Sequence, residues 1–240
     1  MRCQNFEPLK LYPGNNSGNG EYHTILQNIP KCDLFIEVMC GSAFISSLVT
    51  GCNVHVNDID EQLMQQHKEN FSIADTSTIK FTALDYRALL SKVSKDRVYN
   101  AVFYFDVPYL RETRYRQRKL YKHDWSRSDH VEFLKIVNNI SQSVMVLHPP
   151  CNLYNDALQD FRKIDFKVMT RGGLKDRCLY MNFPQPQLLQ CWQYVGKNFT
   201  RRQQLKRIAE RMIKRIDNYK DNERAAILSC VLDIYKFMQG

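Results

Sequence analysis

Asp106-Val107-Pro108-Tyr109 directly follows the apolar run Ala101-Val102-Phe103-Tyr104-Phe105. Bounded by the polar Tyr99-Asn100 and the breaker Pro108, that run reads as a buried strand. A carboxylate, a proline and an aromatic ring therefore leave the carboxyl end of a central strand together, where open α/β sheets place their ligands. The set can hold a flat, amino-bearing ring. The Asp106 carboxylate accepts from an exocyclic amine, the Val107 carbonyl accepts a second bond, and Tyr109 stacks on the ring face. An amine conjugated to a ring is a poor nucleophile, and two acceptors aimed at its hydrogens localise its lone pair. Catalysis by such a group is positioning and preorganised electrostatics.

A second set lies upstream. The run Leu34–Val38 contains Glu37 and continues into Met39-Cys40-Gly41-Ser42-Ala43. Gly41 permits close backbone approach, and a helix predicted over Ser42–Val49 would offer free N–H groups at its start. A dinucleotide fold wants three glycines around a pyrophosphate, and this turn has one. A ligand without phosphates fits better, and S-adenosylmethionine is the leading candidate. The next strand, Val54–Val56, ends at Asn57-Asp58-Ile59-Asp60. Asp58 is placed for ribose hydroxyls, or else caps the helix that follows. Asp85, after the third strand, accepts from an adenine amine or caps the helix beginning at Tyr86. Tyr12-Pro13-Gly14-Asn15-Asn16-Ser17-Gly18 reads as a tight polar turn.

Strands over Leu34–Val38, Val54–Val56, Ile79–Ala83, Ala101–Phe105 and Ser143–Leu147 must position these groups. Helices over Ser42–Val49, Glu61–Asn70, Tyr86–Val93 and Ser128–Ile140 alternate with them, which predicts a parallel, doubly wound sheet. Phe166–Met169 and Arg177–Asn182 read as a closing hairpin around Arg171-Gly172-Gly173. A break at Phe183-Pro184-Gln185-Pro186 divides a domain over 1–183 from a basic helical segment over 184–240. In that segment Leu205, Ile208, Met212 and Ile216 share one face, and Arg201, Arg202, Lys206 and Arg207 lie on the others. This pattern serves phosphate contact or a solvated face packed on the domain.

The bulk properties are those of a soluble globular chain: 44% hydrophobic and 25% charged, with a formal net charge of +9 over 240 residues. The charge makes a polyanion a plausible partner, nucleic acid before membrane. No run is long enough to span a bilayer and nothing resembles a signal peptide, so a cytoplasmic location is expected. The eight cysteines form no CxxC pair, which predicts reduced thiols and no metal site.

In order and spacing these segments resemble the Dam-type DNA adenine-N6 methyltransferases, in the compact form found in phages and mobile elements. The counterparts are Tyr12-Pro13-Gly14-Asn15-Asn16, Glu37-Val38-Met39-Cys40-Gly41-Ser42, Asn57-Asp58-Ile59-Asp60 and Asp106-Val107-Pro108-Tyr109, with Thr113, Tyr121-Lys122-His123-Asp124-Trp125 and Asp129-His130 downstream and Glu223-Arg224-Ala225-Ala226-Ile227-Leu228 in the tail. The resemblance implies a Rossmann-like class I methyltransferase fold with a small C-terminal helical appendage. It implies S-adenosylmethionine as methyl donor and the N6 amine of adenine in DNA as acceptor. It places Tyr12, Asn16, Asp58 and Asp106 at cofactor contacts, and with Pro13, Gly14, Glu37, Met39, Gly41, Ser42, Ile59 and Asp85 these make the candidate cofactor set. The candidate catalytic set is Asp106, Val107, Pro108 and Tyr109. The base must leave the duplex to be reached, and stacking on Tyr109 would return roughly 1–3 kcal/mol.

Three positions depart from the family pattern. Val107 stands where a proline is usual, Asn16 where a lysine is usual, and His148-Pro149-Pro150 replaces a polar stretch after the fifth strand. A slower enzyme is expected, or a silent relative that binds DNA or a partner protein; RNA or protein acceptors are the further alternative. The interval from Asp85 to Asp106 has no room for a recognition insert. DNA contact is therefore assigned to Arg111, Arg114, Arg116, Arg118, Lys119, Tyr121, Lys122 and Trp125, with Arg201, Arg202, Lys206 and Arg207 adding grip. A protein partner or homodimer stays open.

Overall fold

The computed structural model describes residues 20–70, 78–95, 100–114, 119, 121–170 and 173–237. The chain divides into two units, Met1–Trp192 and Gln193–Gly240.

The first unit holds a seven-stranded sheet. In chain order its elements are α1 (Glu21–Leu26), β1 (Leu34–Glu37), β2 (Asn53–Asn57), α2 (Glu61–Asn70), β3 (Ile79–Thr82), α3 (Tyr86–Lys95), β4 (Ala101–Asp106), α4 (Arg127–Val137), β5 (Ser143–His148), α5 (Asn152–Ala157), β6 (Arg162–Thr170) and β7 (Gly173–Met181). The strand order is β3-β2-β1-β4-β5-β7-β6. The first five strands run parallel, β7 is antiparallel to β5, and β6 and β7 form an antiparallel hairpin. This is the doubly wound, Rossmann-like order of the class I methyltransferases. The chain moves outward from β1 to β3, then returns to the other side of β1 for β4. The order reverses between β1 and β4, where a crevice opens at the carboxyl ends.

The alternating, largely apolar strands explain the core. Every residue from Ala101 to Phe105 is buried, as expected of a central parallel strand covered on both faces. Phe103, Phe105 and Val107 meet Leu89, Phe133, Val137 and Tyr154 on one face. Tyr104 stacks near Phe35 on the other, with ring centroids 6.3 Å apart. Helix α4 starts at a capping box: Asp129 N–H donates to Ser126 Oγ, and Ser126 N–H donates to Asp129 Oδ2.

The elements differ from the sequence expectation in four places. The helix predicted over Ser42–Val49 is a single 3₁₀ turn, Ser46–Leu48. Gly41 and Ala43 take φ of 47° and 55°, which keeps the chain out of a right-handed helix where it was expected to begin. The expected helix N-terminus at Ser42 is therefore absent. The hairpin strands are longer than predicted, and the short helices α1 and α5 carried no periodic signal. The unit boundary falls after Trp192, not at Phe183. Leu189 bridges to Pro30, and the Gln190 side chain accepts from Cys32 N–H and donates to the Thr50 carbonyl, so this segment belongs to the first unit.

The second unit contains α6 (Phe199–Asp217) and α7 (Asp221–Phe237). Asn198 caps α6 by accepting from Arg201 N–H at 2.9 Å. Arg224 joins the two helices through Asp217 and Asp221. Gly196 sits at φ 136°, where an added Cβ would meet Arg202 N at 2.9 Å. The seven described cysteines are free, and no helix among the described residues is long and apolar enough to cross a membrane.

Candidate functional site

A cavity of about 310 Å³ opens at the carboxyl ends of β1, β2, β3 and β4. Its wall takes Val38 to Ser42 after β1, Asp58 to Asp60 after β2, Leu84 to Arg87 after β3, and Asp106 and Pro108 after β4. The segment Tyr121–Trp125 and Asp129 close the remaining side. Met39, Gly41, Ser42, Asp58, Ile59, Asp85 and Asp106 of the predicted cofactor set thus meet in one place. Tyr12, Pro13, Gly14 and Asn16 lie outside the described residues.

The Gly41 turn is held from both sides. Its N–H donates to Asp58 Oδ2 at 3.1 Å, and its carbonyl accepts from His67 Nε2 at 2.7 Å. A carbonyl only accepts, so His67 carries a proton on Nε2, and burial lowers its pKa. Asp58 Oδ1 also accepts from Asp60 N–H. Burial raises the Asp58 pKa, opposed by these two backbone bonds.

The two acids of the Asn57-Asp58-Ile59-Asp60 segment divide the roles that the sequence left open. Asp60, not Asp58, caps α2, accepting from Gln62 and Leu63 N–H. Asp60 also pairs with Lys122, whose Nζ is 3.0 Å from both carboxylate oxygens. Asp58 is left to face the cavity. Asp85 does act as a cap, accepting from Arg87 N–H at 2.9 Å, while still lining the cavity. Arg87 spans to Glu132 through two 2.8 Å bonds and lies over the Tyr86 ring.

Glu37 is placed differently. It is buried, and its Oε2 accepts from Ser46 N–H at 2.8 Å, so it braces the turn beyond the glycine loop rather than the cavity wall. Burial pushes its pKa up to about 7.

Sequence reasoning missed the role of Asn57. It is fully buried and makes four bonds: Nδ2 donates to the carbonyls of Val38 and Leu84, both at 2.9 Å, and Oδ1 accepts from Thr82 Oγ1 and Leu84 N–H. One amide thus ties the loops after β1 and β3 across β2. A buried Asn in a strand-end Asn-Asp pair was the available signal.

Asp106 and Pro108 face the cavity, while Val107 is 1% exposed and packs in the core. Tyr109 is gripped from several directions. The Arg177 guanidinium lies over its ring at 4.7 Å, and the His148 ring meets it edge-on at 5.6 Å. Arg177 comes from β7, 3.4 Å from Glu21 at the start of α1. It too was missed, because only the antiparallel return of β7 beside β5 brings it to this edge.

The predicted nucleic-acid residues separate. Arg114 is buried: Nε donates to the Tyr109 carbonyl at 2.6 Å, and Nη1 and Nη2 bind both oxygens of Asp124. Its charge is spent inside the fold, which corrects the expectation of a phosphate contact. Lys122 is held by Asp60, and Tyr121 and Trp125 are cavity wall; Trp125 packs on Tyr86, His130 and Phe133. Arg111 and Lys119 are exposed. Arg116 and Arg118 lie outside the described residues. In the second unit Arg201, Lys206 and Arg207 are exposed, and Arg202 donates to the Gly196 carbonyl.

The charge of the cavity is opposite to that of the chain. Asp58, Asp60, Asp85, Asp106, Asp124 and Asp129 line it against Arg87 and Lys122, both already paired with carboxylates. Such a site disfavours a pyrophosphate and suits a cationic ligand with hydroxyl and amine donors. No metal-holding group of His, Cys, Asp or Glu occurs among the described residues.

No protein-family model matches the chain, and comparison with curated proteins finds no match. Among solved structures, the chain is similar to a precorrin 8w decarboxylase of Methanobacterium thermoautotrophicum at 13% identity, covering 77% of this chain and 100% of that one, with a TM-score of 0.45. It is similar to a putative RNA methyltransferase of Pyrococcus horikoshii at 15% identity, covering 75% and 90%, with a TM-score of 0.44. M. capricolum TrmK in complex with S-adenosyl-homocysteine gives 10% identity, coverage of 92% and 97%, and a TM-score of 0.45. At these values the fold assignment rests on the strand order and register of the sheet itself.

Proposed function

We propose that the chain is an S-adenosylmethionine-dependent methyltransferase whose acceptor is an exocyclic amine of a nucleic-acid base, with adenine N6 in DNA as the leading substrate. The observation that carries this reading is that Asp106 and Pro108 share one cavity with the Gly41 turn, Asp58 and Asp85. In this reading a donor end and an acceptor end would open to each other, as an in-line transfer requires. The acidic lining fits the donor: Asp58 for ribose hydroxyls, Asp85 for an adenine amine, and surrounding carboxylates for a cationic sulfonium. When bound, S-adenosylmethionine supplies an electrophilic methyl on positively charged sulfur.

The residues of the chain supply the rest. Asp106 and the Val107 carbonyl would accept from the two hydrogens of the amine, localising its lone pair. Tyr109, next to Pro108 and with Arg177 over its ring, would stack on an extruded base. The cavity volume falls at the lower end of the roughly 300–1,000 Å³ range of small-ligand sites. The choice of DNA over RNA draws on the resemblance of the motif series, the basic charge of the chain serving either nucleic acid.

The test is methyl transfer from labelled donor to duplex DNA, structured RNA and protein offered together, with native chain and Asp106→Ala. Transfer to DNA adenine by native chain alone, with the Asp106→Ala variant folded by circular dichroism, is the expected result. Unchanged turnover in Asp106→Ala sinks the site, and transfer only to RNA or protein sinks the DNA assignment.

A further inference from the structure

The Tyr109–Leu110 peptide is held at both of its polar ends. Its carbonyl accepts from Arg114 Nε at 2.6 Å. Its N–H donates to His148 Nε2 at 3.0 Å. His148 stands at the tip of β5, the neighbour of β4, and is fully buried. Its two ring nitrogens have distinct tasks: Nε2 must accept from Leu110, so the proton sits on Nδ1, which donates to the Pro149 carbonyl at 2.7 Å. The ring itself lies flat on Tyr154, with centroids 3.8 Å apart and planes 3° from parallel. Arg114 is just as constrained, since its other two nitrogens bind Asp124, a residue of the cavity wall.

We propose that His148 and Arg114 form a two-sided clamp on the Tyr109–Leu110 peptide that sets the orientation of the Tyr109 ring and of the Asp106–Tyr109 segment for methyl transfer. Both are positioning residues acting through the backbone, and neither touches substrate. This inference rests on the reading of the site as an amine methyltransferase. It gives a task to the His148-Pro149-Pro150 stretch and to Arg114, neither of which that reading used. The clamp acts on the segment in which Val107 stands in place of a φ-fixing proline. An external hold on the Tyr109–Leu110 peptide, just beyond Pro108, limits how far that freedom propagates along the segment.

Two substitutions at one position separate positioning from packing. His148→Phe keeps a ring to stack on Tyr154 but cannot accept from Leu110 N–H. His148→Gln keeps an acceptor but loses the ring. The clamp predicts that His148→Phe lowers kcat about tenfold, the factor carried by one hydrogen bond of ordinary net strength, while His148→Gln stays closer to native. S-adenosylhomocysteine affinity should hold within about twofold in both, a split that a general packing defect would not give. Native kcat in His148→Phe overturns the clamp, as does a His148→Gln variant that is the weaker of the two. Absence of transfer to any acceptor by native chain is the separate failure of the parent reading. Exchange of the Leu110 amide, followed by NMR, then judges the clamp: protection in native chain and His148→Gln that is lost in His148→Phe supports it, and rapid exchange in native chain overturns it.

Discussion

Replacing Asn57 tests whether one buried amide holds the cavity walls together. Asn57→Ala leaves the Val38 carbonyl, the Leu84 carbonyl and the Leu84 N–H without their side-chain partner. At roughly 1–3 kcal/mol for each of these three buried polar groups left unpaired, the loss should be about 3–9 kcal/mol, the lower end applying where water from the cavity reaches a carbonyl. That is a large part of the roughly 5–15 kcal/mol typical of a domain. Asn57→Asp, of the same shape, sharpens the test. One carboxylate oxygen then faces two carbonyl oxygens at the 2.9 Å distances now bridged by the amide hydrogens. The acid is driven to its neutral form, so its folded pKa rises above the unfolded value of about 3.9. A raised folded pKa means stability is retained in acid and lost as pH rises, at about 1.4 kcal/mol per unit until the folded pKa is passed. Asn57→Asp should thus be up to about 2.7 kcal/mol less stable at pH 7 than at pH 5, relative to native chain, whereas Asn57→Ala should show no such dependence. The assay is urea unfolding followed by fluorescence, because both tryptophans, Trp125 and Trp192, belong to the first unit. A loss below about 1 kcal/mol in Asn57→Ala, or a pH-independent Asn57→Asp, would refute the reasoning.

Asp58→Ala should weaken S-adenosylhomocysteine binding about 10- to 100-fold by calorimetry, since hydrogen bonds to a charged group are worth roughly 1.5–3 kcal/mol; unchanged affinity would leave Asp58 a purely structural brace of the Gly41 turn. Glu37 has its folded pKa raised to about 7, so it favours the fold at pH 4.5 and disfavours it as pH climbs through 7. Glu37→Gln, which keeps an acceptor for Ser46 N–H, should gain about 3 kcal/mol on native chain between pH 4.5 and pH 8 in urea titrations, and a flat difference would remove the buried-charge argument. If Arg201, Lys206 and Arg207 grip phosphates, DNA affinity measured by anisotropy should fall linearly on a log–log plot against salt, and replacing all three by Gln should reduce the slope by about 2–3; an unaltered slope would exclude them.

Much of the architecture was legible because its signals are local. Apolar runs of strand length alternating with helical stretches predicted the order and placement of β1 to β5, and the breaker Pro108 located the carboxyl end of β4. Where the expectation failed, a longer-range cause is visible. Ser42–Val49 has helix-compatible residues, but Asp58 and His67 hold Gly41 and Glu37 takes the Ser46 N–H, and the chain turns with Gly41 and Ala43 at positive φ. Pro184 looked like a domain break, yet Gln190 reaches back to Cys32 and Thr50 and keeps the segment in the first unit.

The sequence by itself determined which chemistry was on offer: Asp106 at a strand tip, one glycine where a pyrophosphate site needs three, and Asp58 at the next strand end. These follow from residue type and spacing, which short-range physics converts directly into strand ends and turns. Only the tertiary structure decided how each charged group is used. Arg111 and Arg114 are indistinguishable as neighbours in a basic stretch, yet one is exposed while the other is buried against Asp124 and the Tyr109 carbonyl. Asp58, which the sequence left between ligand contact and cap, faces the cavity, and Asp60 caps α2 while pairing with Lys122. A partner distant in the chain sets the free energy of a charge, and pairing of that kind is written in three dimensions rather than in a local pattern.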